Sequence, residues 1–168
     1  TKLMSPKTIF IWMLVFIGSV VGLAFILTAG QKPTPATASY STGESERPKA
    51  ETDKNTIDLG TIKVSDVKVQ DFALKNSGTK PLQILNVNSS CGCTAGQIIY
   101  KGETSKEFSM HTQSGFVTEI VPGDTATVRL TYRPASMPVY GLVERAVFVE
   151  TNDPANAKLT FSIRTKVE

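Results

Sequence analysis

The sequence predicts an all-β domain, an immunoglobulin-like antiparallel sandwich, preceded by one N-terminal transmembrane helix and a disordered linker. Three observations predict it. From Thr56 onward, apolar and polar residues alternate with a period of two in segment after segment, as strands buried on one face require. Turn clusters such as Asn76-Ser77-Gly78 and Thr151-Asn152-Asp153-Pro154 separate those segments. After residue 30 no stretch keeps a helical period, and both cysteines lie together, so no disulfide of antibody type can bridge the two sheets.

The first element runs from Ile9 to Gly30 without a charged residue. At 1.5 Å per residue, roughly 20 apolar residues match a hydrocarbon core of ~30 Å. A cleaved secretory signal is the alternative, because Thr28-Ala29-Gly30 are small. The apolar core of such a signal spans about 7–15 residues; the greater length here favours an uncleaved anchor, residues 1–30. Lys2 and Lys7 precede the span and only Lys32 closely follows it. That bias keeps the N-terminus in the cytoplasm and puts the rest outside a cytoplasmic membrane. Gly18 and Gly22 form a G-x-x-x-G pair, a weak helix-packing signal.

Residues 31–55 carry Pro33, Pro35 and Pro48 among Thr, Ser, Ala, Glu and Lys, with Tyr40 the only large apolar side chain. This composition offers little to offset the entropy of ordering, so the stretch is expected to be a flexible tether with a reach of roughly 25–30 Å. Residues 56–168 are then one domain. Its acids and bases nearly balance within a chain of formal charge +3, and the absence of a basic stripe argues against nucleic acid as a partner.

Within the domain, strands are expected at 56–60, 67–74, 82–87, 126–132, 143–149 and 159–165. In 67–74, Val67, Val69, Phe72 and Leu74 are assigned to the buried face. The segment 97–121 is less regular. It reads as an inserted hairpin, Ile98-Ile99-Tyr100 against Phe108-Ser109-Met110, turning through Lys101-Gly102-Glu103, followed by a strand around Phe116-Val117-Thr118. Long excursions from a rigid scaffold often carry function.

The order Asp58-Leu59-Gly60-Thr61-Ile62, Phe72-Ala73-Leu74-Lys75-Asn76-Ser77-Gly78, Pro81-Leu82, Ser90-Cys91-Gly92-Cys93-Thr94, Pro122-Gly123 and Thr151-Asn152-Asp153-Pro154 resembles bacterial Ig-like domains marked by a Ser-Cys-Gly-Cys-Thr turn. That family has no assigned function and is related to the Hydin-like and major-sperm-protein-like sandwiches. The resemblance implies the fold, a bacterial source and an envelope location. It implies no activity. The chain departs from the pattern between Thr94 and Pro122.

Cys91 and Cys93 admit three readings. They can staple a tight turn at Gly92 as a disulfide, or remain small buried apolar groups. They can exchange with other thiols, although no Lys, Arg or His stands beside them in sequence to stabilise a thiolate. They can bind Cu(I) with Met110, His111 or Met137 as further donors; one histidine and two cysteines fall short of a structural zinc set. Asp58, Asp71, Asp124 and Asp153 fall at strand ends and turns, where short carboxylates are ordinary. No nucleophile elbow, phosphate loop or dinucleotide fingerprint is present. The expected function is therefore non-enzymatic and cofactor-free. The domain would bind protein outside the cytoplasmic membrane, as an accessory subunit of a membrane complex or an envelope scaffold. The expected contacts are Ile99, Tyr100, Phe108, Phe116 and Val117; the alternative is a tethered redox or Cu(I)-handling domain using Cys91 and Cys93.

Overall fold

The computed structural model describes residues 5–28, 36–112 and 114–168. The chain divides into two units, Thr1–Pro35 and Ala36–Glu168. In the first, helix α1 spans Pro6–Thr28. Pro6 suits the first turn, where its missing N–H costs nothing. The hydroxyls of Ser19 and Thr28 donate to the carbonyls of Phe16 and Ala24, so the helix satisfies its own polar side chains as an apolar solvent demands. Every described residue of it is exposed. A long apolar helix of this kind serves as a membrane anchor or a signal sequence.

The second unit is a two-sheet β-sandwich. Its strands are β1 (Ala50–Glu51), β2 (Thr56–Ile62), β3 (Lys68–Asn76), β4 (Leu82–Ser89), β5 (Thr94–Tyr100), β6 (Glu103–Thr104), β7 (Thr118–Ile120), β8 (Thr125–Tyr132), β9 (Gly141–Thr151) and β10 (Lys158–Val167). One sheet has the order β1-β3-β8-β5-β6 and the other β2-β10-β9-β4-β7. All pairs are antiparallel except β2 with β10. That parallel pair departs from the antiparallel expectation; its register shifts between Arg164 and Lys166, opposite Gly60 in the left-handed region at φ 65°. Inward residues of both sheets meet in one core, among them Leu74, Leu82, Ile84, Val128, Leu130, Val147, Phe161 and Ile163. The Phe72 and Phe161 rings touch across it at 5.3 Å between centroids. Each such side chain contributes roughly 1.5–3 kcal/mol by leaving water.

Two expectations change here. Val67 and Val69 are exposed while Phe72 and Leu74 are buried. In an unbulged strand residues of like parity share a face, so the two valines stand with Asp71 on the outer surface. The tether expected over 31–55 is also shorter. Residues 31–35 lie outside the described residues, but from Ala36 onward the chain belongs to the domain. Pro48 and Ala50 are buried, and β1 pairs Ala50 with Asn76 and Glu51 with Lys75.

Candidate functional site

The register places two contrasting regions at opposite ends of the sandwich. At one end β3 stops at Asn76, β8 begins at Thr125, β9 stops at Thr151 and β10 begins at Lys158. Here the segment 47–51 enters a socket. The buried Asn76 amide accepts from the Lys49 and Gly78 N–H groups at 3.3 and 3.0 Å and donates to the Lys80 and Ile120 carbonyls. Asp153, 0% exposed, accepts from Arg47 Nη1 at 2.6 Å, from the Ala50 and Ala155 N–H groups at 3.0 Å, and from Asn156 Nδ2 at 2.9 Å. Burial by itself would raise the Asp153 pKa. The hydrogen bonds from Ala50, Asn156 and Ala155, together with the Arg47 charge, outweigh it and hold the carboxyl below its ordinary value. Gly78 is required by a close approach: a Cβ there would overlap the Arg47 carbonyl oxygen and lie 2.5 Å from the Lys49 nitrogen. The Asn-Ser-Gly and Thr-Asn-Asp-Pro stretches, 75 residues apart in sequence order, are therefore two halves of one clip. Farther along the same segment, the Gln83 side chain bonds the Ala36 carbonyl and the Ala38 N–H.

At the other end lie the β2–β3 connection, the cysteine turn, the loop from Arg133 to Gly141 and the C-terminus. Cys91 and Cys93 are joined in a disulfide with their Cα atoms 5.3 Å apart. On a straight strand this spacing would be near 6.5–7 Å, so the backbone folds over Gly92, and the Thr94 N–H returns to the Cys91 carbonyl at 3.3 Å. The buried Ser89 hydroxyl holds the base of the turn by donating to the Cys91 and Thr94 carbonyls. Cys93 is 2% exposed, while Cys91 is half-buried at the rim of the core. The Thr94 Oγ1 lies 3.2 Å from the Cys91 sulfur and 3.8 Å from that of Cys93. Thr94 stands opposite Tyr132 in the β5–β8 register, and the Arg145 guanidinium sits over the Tyr132 ring at 5.7 Å. Among the described residues neither the buried Tyr132 hydroxyl nor the Arg145 Nε finds a hydrogen-bond partner.

In the loop beside this turn large apolar side chains face solvent, Met137, Val139 and Tyr140 at 65%, and Leu142 at the start of β9 is 88% exposed. A Cβ at Gly92 would meet the Met137 sulfur at 3.5 Å, which ties this loop to the cysteine turn. Sequence reasoning passed over the loop because Met-Pro-Val-Tyr-Gly reads as an ordinary connection; its run of apolar residues without a strand partner was the available signal.

The hairpin differs from its expected form. Its turn consists of Lys101 and Gly102, both at positive φ (51° and 82°), the conformation of a two-residue primed hairpin turn, and β6 is only two residues long. Phe108 bridges to Gly96 and is 3% exposed, inside the core; as a surface contact it is corrected, because paired backbone hydrogen bonds between Gly96 and Phe108 draw it in against β5. Ile99, Tyr100, Phe116 and Val117 are half-buried. The Tyr100 hydroxyl donates to Asp124 Oδ2 at 2.8 Å and accepts from the Val121 N–H, so it braces the Pro122-Gly123 turn. Met110 and His111 sit in the loop beyond Phe108. With the sulfurs bonded to each other, neither cysteine is a thiolate ligand, and among the described residues no three His, Cys, Asp or Glu side chains converge.

Residues 50–116 match the family model described as a protein of unknown function (DUF1573). No curated protein matches the sequence. Among solved structures, a protein of unknown function from Porphyromonas gingivalis W83 is similar with a TM-score of 0.56 at 15% identity, over 73% of this chain and 48% of that one. The chain thus spans about half the length of that relative. The ASH/PapD-like domain 7 of human CEP192 is similar over 81% of this chain and 98% of its own, at 14% identity and a TM-score of 0.47. The CsuC–CsuE chaperone–adhesion subunit complex of Acinetobacter baumannii is similar over 71% and 52%, at 11% identity and a TM-score of 0.40. These likenesses concern the fold.

Proposed function

We propose that this chain is a non-enzymatic protein-binding module, held at the outer side of a cytoplasmic membrane by α1, and that it serves as an accessory subunit of a membrane complex or an envelope scaffold. The observation that carries the reading is the collection of exposed apolar side chains at the cysteine-turn end: Met137, Val139 and Tyr140 protrude from the loop between β8 and β9, and Leu142 from the start of β9. Exposed apolar clusters of this kind on an otherwise well-packed domain mark interaction surfaces, and aromatic residues and methionine are favoured where partners meet. The half-buried Ile99, Tyr100, Phe116 and Val117 of the expected hairpin contact lie toward the other end of the sandwich, Ile99 opposite Thr127 and Val117 bonded to the Ile84 carbonyl, and are a separate candidate surface.

The test is affinity capture of the full chain from gently solubilised membranes, comparing wild type with a Tyr140→Ser, Leu142→Asp variant. The wild type is expected to retain a defined partner that the variant loses, with thermal stability changed by no more than about 0.5 kcal/mol because both side chains already face water. Capture of the same partner by both forms, or of none by either, would overturn the assignment of this surface.

A further inference from the structure

The geometry points to the Cys91–Cys93 disulfide as a site of thiol–disulfide exchange, taking as co-reactant a polypeptide that carries two cysteine thiols in an apolar stretch. Burial makes the two sulfurs unequal. Cys93 is 2% exposed and packed in the core, whereas Cys91 reaches the rim beside the solvent-facing Gly92, so an incoming thiolate attacks Cys91. One hydroxyl serves both sulfurs. Thr94 Oγ1 lies 3.2 Å from Cys91 Sγ and 3.8 Å from Cys93 Sγ, where its O–H can donate to either sulfur when that sulfur carries charge. β9 supplies a cation one side chain removed: Tyr132 faces Thr94 across the β5–β8 pair, and its ring lies under the guanidinium of Arg145. The Arg145 Nε is unpartnered among the described residues. Met137, whose sulfur lies 3.5 Å from where a Cβ on Gly92 would stand, and the exposed Val139 and Tyr140 of the same loop suit apolar side chains beside the reacting cysteines.

The exchange balances in two steps. A thiolate of the co-reactant attacks Cys91 Sγ, forming a mixed disulfide and breaking the Cys91–Cys93 bond, whose electron pair leaves on Cys93 and takes up a proton. The second thiolate of the co-reactant then attacks its own bonded sulfur, expelling Cys91 as a thiolate that Thr94 stabilises until it too is protonated. The dithiol loses two electrons and two protons, and Cys91 and Cys93 gain them. Each domain reacts once, so the site needs no further reductant or oxidant, and the inference stands apart from the identity of any binding partner.

The wild-type full chain in detergent micelles carries the test. It is incubated with a synthetic peptide containing a Cys-x-x-Cys dithiol flanked by Leu and Phe, and in parallel with the same dithiol flanked by Ser and Asp. Alkylation and mass spectrometry are expected to show peptide disulfide appearing one for one with reduced Cys91 and Cys93, about tenfold faster for the apolar peptide, as burial of one or two large side chains provides. Offered a single-cysteine apolar peptide activated as its mixed disulfide with 2-nitro-5-thiobenzoate, the Cys91 thiolate of Cys93→Ser should attack the peptide sulfur, expel thionitrobenzoate and trap a mixed disulfide, and Cys91→Ser should not, because its remaining thiol is buried. Thr94→Val, which keeps the side chain's shape, should slow trapping by Cys93→Ser about tenfold through loss of a charge-assisted hydrogen bond. A wild-type disulfide that stays oxidised while a free Cys-Gly-Cys peptide is reduced under the same conditions would overturn the inference, as would equal trapping by the two single-cysteine variants.

Discussion

The two ends of the sandwich solve opposite problems. At the clip end nearly every buried polar group has a partner: Asp153 accepts four hydrogen bonds and the Asn76 side chain makes four. At the cysteine-turn end, Tyr132 OH and Arg145 Nε are buried without partners among the described residues, and apolar side chains stand in solvent. Satisfied buried networks fix one conformation, whereas unpaired polar atoms and exposed apolar surface are costs that a fold retains where contact with something else recovers them. The difference teaches that the clip end carries stability, whereas the other end holds the unpaired polar atoms and exposed apolar surface on which the proposed binding role rests.

The sharpest way to break that contrast is Asp153→Ala. It strands Arg47, Ala50 N–H and Asn156 at a buried site. Loss of one member of a buried ion pair costs about 3–5 kcal/mol. Denaturant unfolding should show that loss, and limited proteolysis should cut within 36–51. The same carboxyl gives a pH dependence. Its folded pKa is lowered from 3.8, so the unfolded chain binds the proton more readily. Its stabilisation is complete above the ordinary value and fades as pH falls through the lower folded one. The Ala50 amide resonance, a direct reporter, should titrate below 3.8.

Gly96→Ala comes next. Its Cβ would fall 2.5 Å from a Val147 methyl and 3.1 Å from one of Val87, and overpacking of a filled core costs about 1–3 kcal/mol. The cost should appear as a lower denaturant midpoint with an unchanged slope. The smallest effect is expected from reducing the disulfide. A ring closed across a sequence separation of 2 restricts the unfolded chain little, about 1.6 kcal/mol by loop entropy. If reduction instead destabilised the domain as much as Asp153→Ala, the cysteine turn would belong with the clip as a stability element.

Much of the sandwich was legible in the sequence because a period of two is a local signal. It located β4, β8, β9 and β10 directly. It did not fix which face Val67 and Val69 take, since both parities of 67–74 carry apolar residues and only pairing with β8 decides between them. The clip was illegible for a different reason. Residues 47–51 contain almost nothing apolar, and their partners Asn76 and Asp153 lie 27 and 106 positions away for the Lys49 and Arg47 bonds. Phe108 belongs to the core rather than the surface because its backbone exchanges hydrogen bonds with Gly96, a pairing that the residues of the hairpin turn do not announce.

By itself the sequence determined the long apolar helix, the all-β character and the adjacency of the two cysteines, each set by residues close together in the chain. Tertiary structure alone decided that Arg47 meets Asp153, that Thr94 stands beside two bonded sulfurs, and that Arg145 lies over the Tyr132 ring. Those contacts depend on strand order and register. Both follow from burying the whole core at once, and no local window of residues contains that information.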